Sequence, residues 1–139
     1  MITLDPPFTM SVQVKRPLDA GAALTGRRMI GEVGSAEVSG RLSGHLAGTS
    51  SADWFMMTAA GTALADVRLA IETDDGAVIL IRYRARFRLV PDQPAIVMIA
   101  PVFDTGDSRY SWLNEIQAVG KGLLSPDRTR LDYEIYQLG

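Results

Sequence analysis

The sequence predicts an all-β fold, a single antiparallel β-barrel with one short helical turn. Helical periodicity is nearly absent along the chain. Apolar and polar residues alternate instead, and Gly, Asp, Ser or Pro interrupts the alternation at short intervals. Those are the marks of antiparallel strands joined by turns. Many strands with almost no helix suggest a barrel or a sandwich. The 139 residues fit one domain, 1–139, large enough to hold a core without disulfides.

Taken in order, strands are expected over Phe8–Val14, Arg27–Val38, Arg41–Ala47 and Trp54–Thr58. Two long ones follow over Ala63–Thr73 and Ala77–Leu89. Three more are expected over Ala95–Phe103, Ile116–Leu123 and Thr129–Gln137. Pro101 marks a strand end or an edge position. The helical turn is expected over Asp107–Asn114, where the Asp107 carboxylate can cap the first turn.

The hairpin Ala63–Leu89 carries the most information. A two-residue loop at Asp75–Gly76 would set Arg68 opposite Tyr83 and Val67 opposite Arg84, which mixes both faces. A three-residue loop closes instead at Thr73 and Ala77, with Gly76 left-handed in a bulge. Ile71 then faces Ile79, Leu69 faces Ile81, Val67 faces Tyr83 and Ala65 faces Ala85. The other face carries Asp66 opposite Arg84 and Arg68 opposite Arg82. This register sorts apolar from charged, and a one-residue slip would reverse every side chain.

Composition removes several classes of function. There is no cysteine, hence no disulfide, thiolate nucleophile or sulfur-bound metal. His45 is the only histidine, so a histidine-built metal site is excluded, and no Gly-x-Ser-x-Gly elbow surrounds any serine. The net charge of −2 supplies no basic field for nucleic acid. The N-terminal residues lack signal-peptide blocks, and the longest apolar stretch, Ala95–Phe103, is far short of the roughly 20 residues of a membrane helix. The expectation is a soluble, cytoplasmic protein that needs neither a nucleic acid nor a membrane.

Among candidate site residues, Asp53 stands beside Trp54 at a strand entry. It is either a general base with a raised pKa or an Asx turn ahead of a core tryptophan. Tyr83 falls on the apolar face, either packed in the core or aimed at a ligand inside the barrel. Arg82, Arg84, Arg86 and Arg88 share one face, read as a solvated outer surface paired with Asp66 and its neighbours; the rival reading is an anion-binding face. Ala118, Gly120 and Gly122 share a face that leaves room for a ligand or for an aromatic neighbour, with Tyr110 and Trp112 available.

Gly40-x-Leu42-x-Gly44, Asp53-Trp54, Thr73-Asp74-Asp75-Gly76 and Gly120-x-Gly122 are joined by a longer run, Phe103-Asp104-Thr105-Gly106-Asp107-x-Arg109-Tyr110-x-Trp112-Leu113-Asn114. Together these resemble the domain-of-unknown-function 3237 family from about Gly26 onward. The resemblance implies a barrel of about eight strands, lipocalin-like or allene-oxide-cyclase-like, over 26–139. Residues 1–25 would form an extended strand and connection. Tyr83 and Ala85 stand where the family carries Asn and Gly, so that if the Asn of the relatives touches ligand, Tyr83 changes that site.

The expectation for function is a cofactor-independent enzyme of lyase, isomerase or cyclase type, acting on a small, mostly apolar, oxygenated or aromatic molecule inside the barrel. Asp53 would be the base and Tyr83 the phenolic donor. Trp54, Tyr110, Trp112 and Asn114 would contact substrate, with Arg82 joining only if the charged face points inward. No metal or organic cofactor is expected. A non-catalytic carrier and a homo-oligomeric assembly module built on strand edges stay as alternatives.

Overall fold

A computed structural model describes residues 1–139. Its strands are β1 (Phe8–Val14), β2 (Leu18–Ala22), β3 (Arg27–Ser39), β4 (Gly44–Leu46), β5 (Ala52–Met57), β6 (Thr62–Thr73), β7 (Val78–Arg88), β8 (Ala95–Ile99), β9 (Val102–Asp104), β10 (Ala118–Leu124) and β11 (Arg130–Gln137). The fold is all-β, with a single 3₁₀ helix over Ser108–Glu115. No helix is long and apolar enough to cross a membrane.

All strands belong to one antiparallel sheet, ordered β8-β10-β11-β1-β3-β4-β6-β7-β9. The expected count of about eight is corrected to eleven, and the reasons are local. β4 and β5 lie one after the other between β3 and β6, so they are two pieces of one broken stave. Buried Ser51 stitches the break. Its hydroxyl accepts from the Ala70 amide at 2.9 Å and its carbonyl from the Val33 amide at 3.0 Å. The expected strand Ala95–Phe103 is split by the buried Pro101, which has no amide to donate. β2 was not expected. Its sequence Leu-Asp-Ala-Gly-Ala does not alternate, it pairs only with β3, and it is largely exposed.

The sheet curls around one interior. Its two ends, β8 and β9, are successive parts of the same segment, β8 pairing with β10 and β9 with β7. No strand pairing joins β7 directly to β8.

The β6–β7 hairpin has the three-residue turn and the register that sort its faces. Ile71 pairs with Ile79, Leu69 with Ile81, Val67 with Tyr83, Ala65 with Ala85, Asp66 with Arg84 and Arg68 with Arg82. The Thr73 amide donates to the Ala77 carbonyl at 2.7 Å, and Gly76 takes φ +93°. Thr73 is buried because its hydroxyl serves the turn, accepting from the Ala77 amide at 2.8 Å and meeting Asp75 at 2.6 Å.

The interior is filled at the turn end of this hairpin. Ile71, Ile79, Ile81, Phe103, Leu42 and Leu113 are all 1% exposed or less. Leu113 comes from the 3₁₀ helix, which plugs this end. The Asp107 carboxylate caps that helix, accepting from the Arg109 amide at 2.9 Å. Arg109 forms a forked pair with Asp107 and reaches Asp75, while the Tyr110 hydroxyl donates to Asp75 at 2.9 Å. Asn114 exchanges two 2.9 Å bonds with the Thr105 backbone.

Gly40-x-Leu42-x-Gly44 has a steric origin in the same region. Leu42 is fully buried between the two glycines, and a Cβ on Gly44 would lie 2.3 Å from the Glu72 carbonyl oxygen. Gly44→Ala therefore forces β4 off β6 and is expected to lower stability by about 3 kcal/mol, read as a fall in the urea midpoint at unchanged slope.

Candidate functional site

The other half of the interior is open. Small residues face inward at this end of the hairpin, Ala63 and Ala65 on β6 and Ala85 on β7, where the filled half has isoleucines. Across the sheet Gly31 adds no side chain. The result is a cavity of about 280 Å³, with 17 hydrophobic residues among the 22 that line it. That is just under the usual range of roughly 300–1,000 Å³ for small-molecule clefts.

Three polar side chains reach its deep part: Asp53, Tyr83 and Tyr133. Strand pairing brings them to one level. Asp53 of β5 pairs with Val67 of β6, and Val67 pairs with Tyr83 of β7. Tyr133 arrives from β11 on the far side, and its ring meets that of Tyr83 edge-on, centroids 5.7 Å apart. The Tyr83 and Tyr133 hydroxyls lie 3.3 Å apart, within hydrogen-bonding reach, and a hydroxyl that accepts in this pair keeps its own proton for a ligand.

Asp53 is held by a single hydrogen bond, its Oδ1 accepting from the Asp66 amide at 2.9 Å. Its second oxygen has no protein partner. Burial in apolar surroundings raises its pKa to about 6, against the lowering effect of that amide. Burial also raises both phenols, Tyr83 well above its ordinary value and Tyr133 to about 12, with the nearby Asp53 charge adding to each. At neutral pH the site therefore presents one carboxylate, close to its protonation point, and two neutral phenols. The pair is suited to accepting a proton at one place and donating a hydrogen bond at another.

Of the residues expected in the site, Asp53 and Tyr83 are brought together and the others are not. Trp54 follows Asp53 in an extended strand, so one side chain must point in and the other out. Asp53 took the inner face, and Trp54 is 61% exposed. Arg82 lies on the outer face opposite Arg68, with Arg84, Arg86 and Arg88 alternating outward along the same strand. The ion pairs expected there do not form. The carboxylates within 4.0 Å of a cation belong to Arg27–Asp19, Arg109–Asp75, Arg109–Asp107 and Arg130–Asp132. Tyr110, Trp112 and Asn114 sit at the plugged end, where Arg41 stacks 3.8 Å over Trp112. None of these five lines the cavity. His45 is exposed on β4.

Tyr133 was missed, although its strand alternates Leu131, Tyr133, Ile135 inward. The available signal was Gly122. It pairs with Tyr133, and a Cβ there would lie 2.5 Å from the Tyr133 ring. The aromatic neighbour of Gly122 is therefore Tyr133, and Gly120 is crowded by Ile99 and Ile135; neither glycine serves Tyr110 or Trp112.

The buried carboxyl has a consequence for stability. The folded pKa of Asp53 lies above its unfolded value of 3.8, so the folded state holds the proton more tightly. The contribution of Asp53 to stability is then fully present below about pH 4 and is lost as pH rises through about 6. Asp53→Asn should be more stable than the parent at pH 7.5 by up to about 3 kcal/mol, an advantage that disappears near pH 4. Thermal melts of both proteins across this range check the sign. Gly122→Ala should displace the Tyr133 ring and lose about 1–3 kcal/mol, visible in the near-ultraviolet circular dichroism of the tyrosines.

Comparisons with known proteins agree with the fold. The UPF0311 protein RPA1785 of Rhodopseudomonas palustris is 28% identical over 139 residues, 90% of each chain. The hydroalkoxylation enzyme phnH of Penicillium herquei is 40% identical over 60 residues, which is 43% of this chain and only 34% of that protein. A beta-barrel like protein from Acinetobacter baumannii superposes with a TM-score of 0.89 at 26% identity, covering 100% of this chain and 97% of its own. The profile of the family described as "Protein of unknown function (DUF3237)" matches residues 2–138, and with the barrel-like sheet around a half-open interior this places the chain in the DUF3237 family.

Proposed function

We propose that the chain is a cofactor-independent enzyme that closes or isomerises a mostly apolar, oxygenated small molecule within its barrel-shaped interior. The observation that carries this reading is the Asp53 carboxylate, raised to about 6 at the deep end of an apolar cavity and accompanied by the Tyr83–Tyr133 hydroxyl pair. A general base works best with a pKa near the operating pH. A cavity that only stored an apolar molecule would not require a desolvated carboxylate.

The partial likeness to a hydroalkoxylation enzyme suggests a reaction of the same class, addition of a hydroxyl group across a carbon–carbon double bond of one molecule. In that step the Asp53 carboxylate accepts the hydroxyl proton as the oxygen–carbon bond forms. The π electrons of the double bond move toward a conjugated carbonyl oxygen, where the Tyr133 hydroxyl donates a hydrogen bond. Asp53 then returns the proton to carbon. The product is an isomer of the substrate, so no oxidant, reductant or second substrate is consumed. The cavity walls hold the hydroxyl against the double bond, which supplies much of the acceleration in an intramolecular closure.

The test is to incubate the protein with small-molecule extracts, isolate the complex by native mass spectrometry and compare the released compound with the starting material by chromatography and NMR. The expected result is an isomer at unchanged mass. With that substrate, Asp53→Asn should reduce kcat by about 10²–10⁴ with little change in binding, and Tyr133→Phe should reduce it by a smaller factor. The parental kcat/KM should fall as pH drops through about 6, because the working base becomes protonated. Gly31→Leu fills the cavity from a position where a Cβ meets only ordinary contacts of 3.7–4.0 Å, and should abolish binding in a folded protein. Release of an unaltered compound, with Asp53→Asn binding it equally well, would overturn the enzymatic reading in favour of a carrier.

A further inference from the structure

The cavity has opposite charges at its two ends. Its deep part holds Asp53, while its solvent end is edged by two cations, Lys15 and Arg128, among apolar Pro17, Met57 and Leu89. Lys15 follows β1 directly. Its amide donates to the Glu32 carbonyl at 2.8 Å, and its aliphatic stem runs beside Gly34, where a Cβ would touch it at 3.5 Å. Lys15 thus borders the rim on an anchored backbone with a supported stem.

Arg128 is fixed more firmly. It occupies the tight turn between β10 and β11 with φ +65°, a backbone conformation that non-glycine residues seldom adopt. Its two terminal nitrogens donate to the carbonyls of Gln93 and Val90 in the β7–β8 connection, both at 2.6 Å. Neutral carbonyls orient the guanidinium without cancelling its charge. No carboxylate lies within 4.0 Å of either Lys15 or Arg128. Two uncompensated cations at the rim of an otherwise apolar cavity suit a ligand that brings its own negative charge to the rim.

We infer that the molecule bound here is an amphiphile with one acidic head group, a carboxylate or similar monoanion, on an apolar body. Lys15 and Arg128 hold the head at the mouth, and the body enters the cavity. The Asp53 carboxylate repels the head from the deep end, so the ligand is bound in one direction, with its distal oxygen presented to Asp53 and Tyr133. This rests on the proposal that the cavity binds a small molecule and adds to it the class and orientation of the ligand.

Octanoate, 1-octanol and octylamine share one apolar body and differ in head group. Their affinities for the full chain, measured by calorimetry at low ionic strength, test the inference. Octanoate is expected to bind at least about tenfold more tightly than 1-octanol, as for a charge-assisted contact. Octylamine should be the weakest. Lys15→Glu, a change at an exposed position, should remove most of the octanoate preference and leave 1-octanol unaffected; Lys15→Met should give an intermediate loss. Added salt should weaken octanoate alone. Equal binding of octanoate and 1-octanol, or a preference for octylamine, would overturn the acidic head group and leave the apolar cavity as a binding site. Binding of none of the three to folded protein, with Gly31→Leu behaving identically, would overturn the ligand-binding reading and this inference with it.

Discussion

The rest of the structure depends on the pairing of β6 with β7. Eleven consecutive residue pairs run from Glu72–Val78 at the turn to Thr62–Arg88 at the far end, and the Thr73–Ala77 closure sets them all. Because side chains alternate with a period of two, that closure decides at once which residues enter the interior. Tyr83 enters and Arg82 and Arg84 do not. The neighbouring strand inherits the choice. Val67 faces inward, and Asp53 pairs with Val67 and follows it inward, which sends Trp54 to solvent.

Side-chain size along the same hairpin then divides the interior. Near the turn, isoleucines meet Phe103, Leu42 and Leu113, and the space closes. Away from it, alanines face Gly31 and leave a void. Emptying one half of a core forgoes hydrophobic and dispersion stabilisation. Placing a carboxylate in that half raises its pKa and destabilises the folded state further near neutral pH. The plugged end is ordered by its helix, the forked Arg109–Asp107 pair and the Tyr110–Asp75 bond, over a close-packed half of the core. One end of the molecule is built for stability and the other is left free for a guest.

The register of β6 and β7 was legible in the sequence, since only one loop length separates apolar from charged faces over so many residues. The capping role of Asp107 was legible for a similar reason, being local. β2 was hidden because five mostly exposed residues have no pattern to read. The break in the stave Ala95–Phe103 was signalled by Pro101, but its place in the sheet depends on β7 and β10, which are distant in sequence. Two of the three polar groups of the candidate site, Asp53 and Tyr83, followed from residue type and alternation. Adjacency in sequence misled for Trp54, since neighbours in a strand point to opposite faces. The contact of Tyr83 with Tyr133 spans 50 residues and is created by the curl of the sheet, which no local pattern encodes.

The missing pairing between β7 and β8 gives the cavity one wall of a different kind. Elsewhere the staves are joined by backbone ladders, whose bonds would have to break for the wall to open. Between β7 and β8 the sheet is held by side-chain packing across a seam, and Tyr83, Ala85 and Phe87 on one side and Val97 on the other all border the cavity. Packing contacts yield gradually with distance, whereas a ladder fails pair by pair. The molecule is thus a stiff vessel with a single compliant flank, and a guest somewhat larger than the resting void is accommodated by parting that flank, on which Tyr83 rides, rather than by displacing Asp53, which the ladders of β5 with β3 and β6 hold away from the seam.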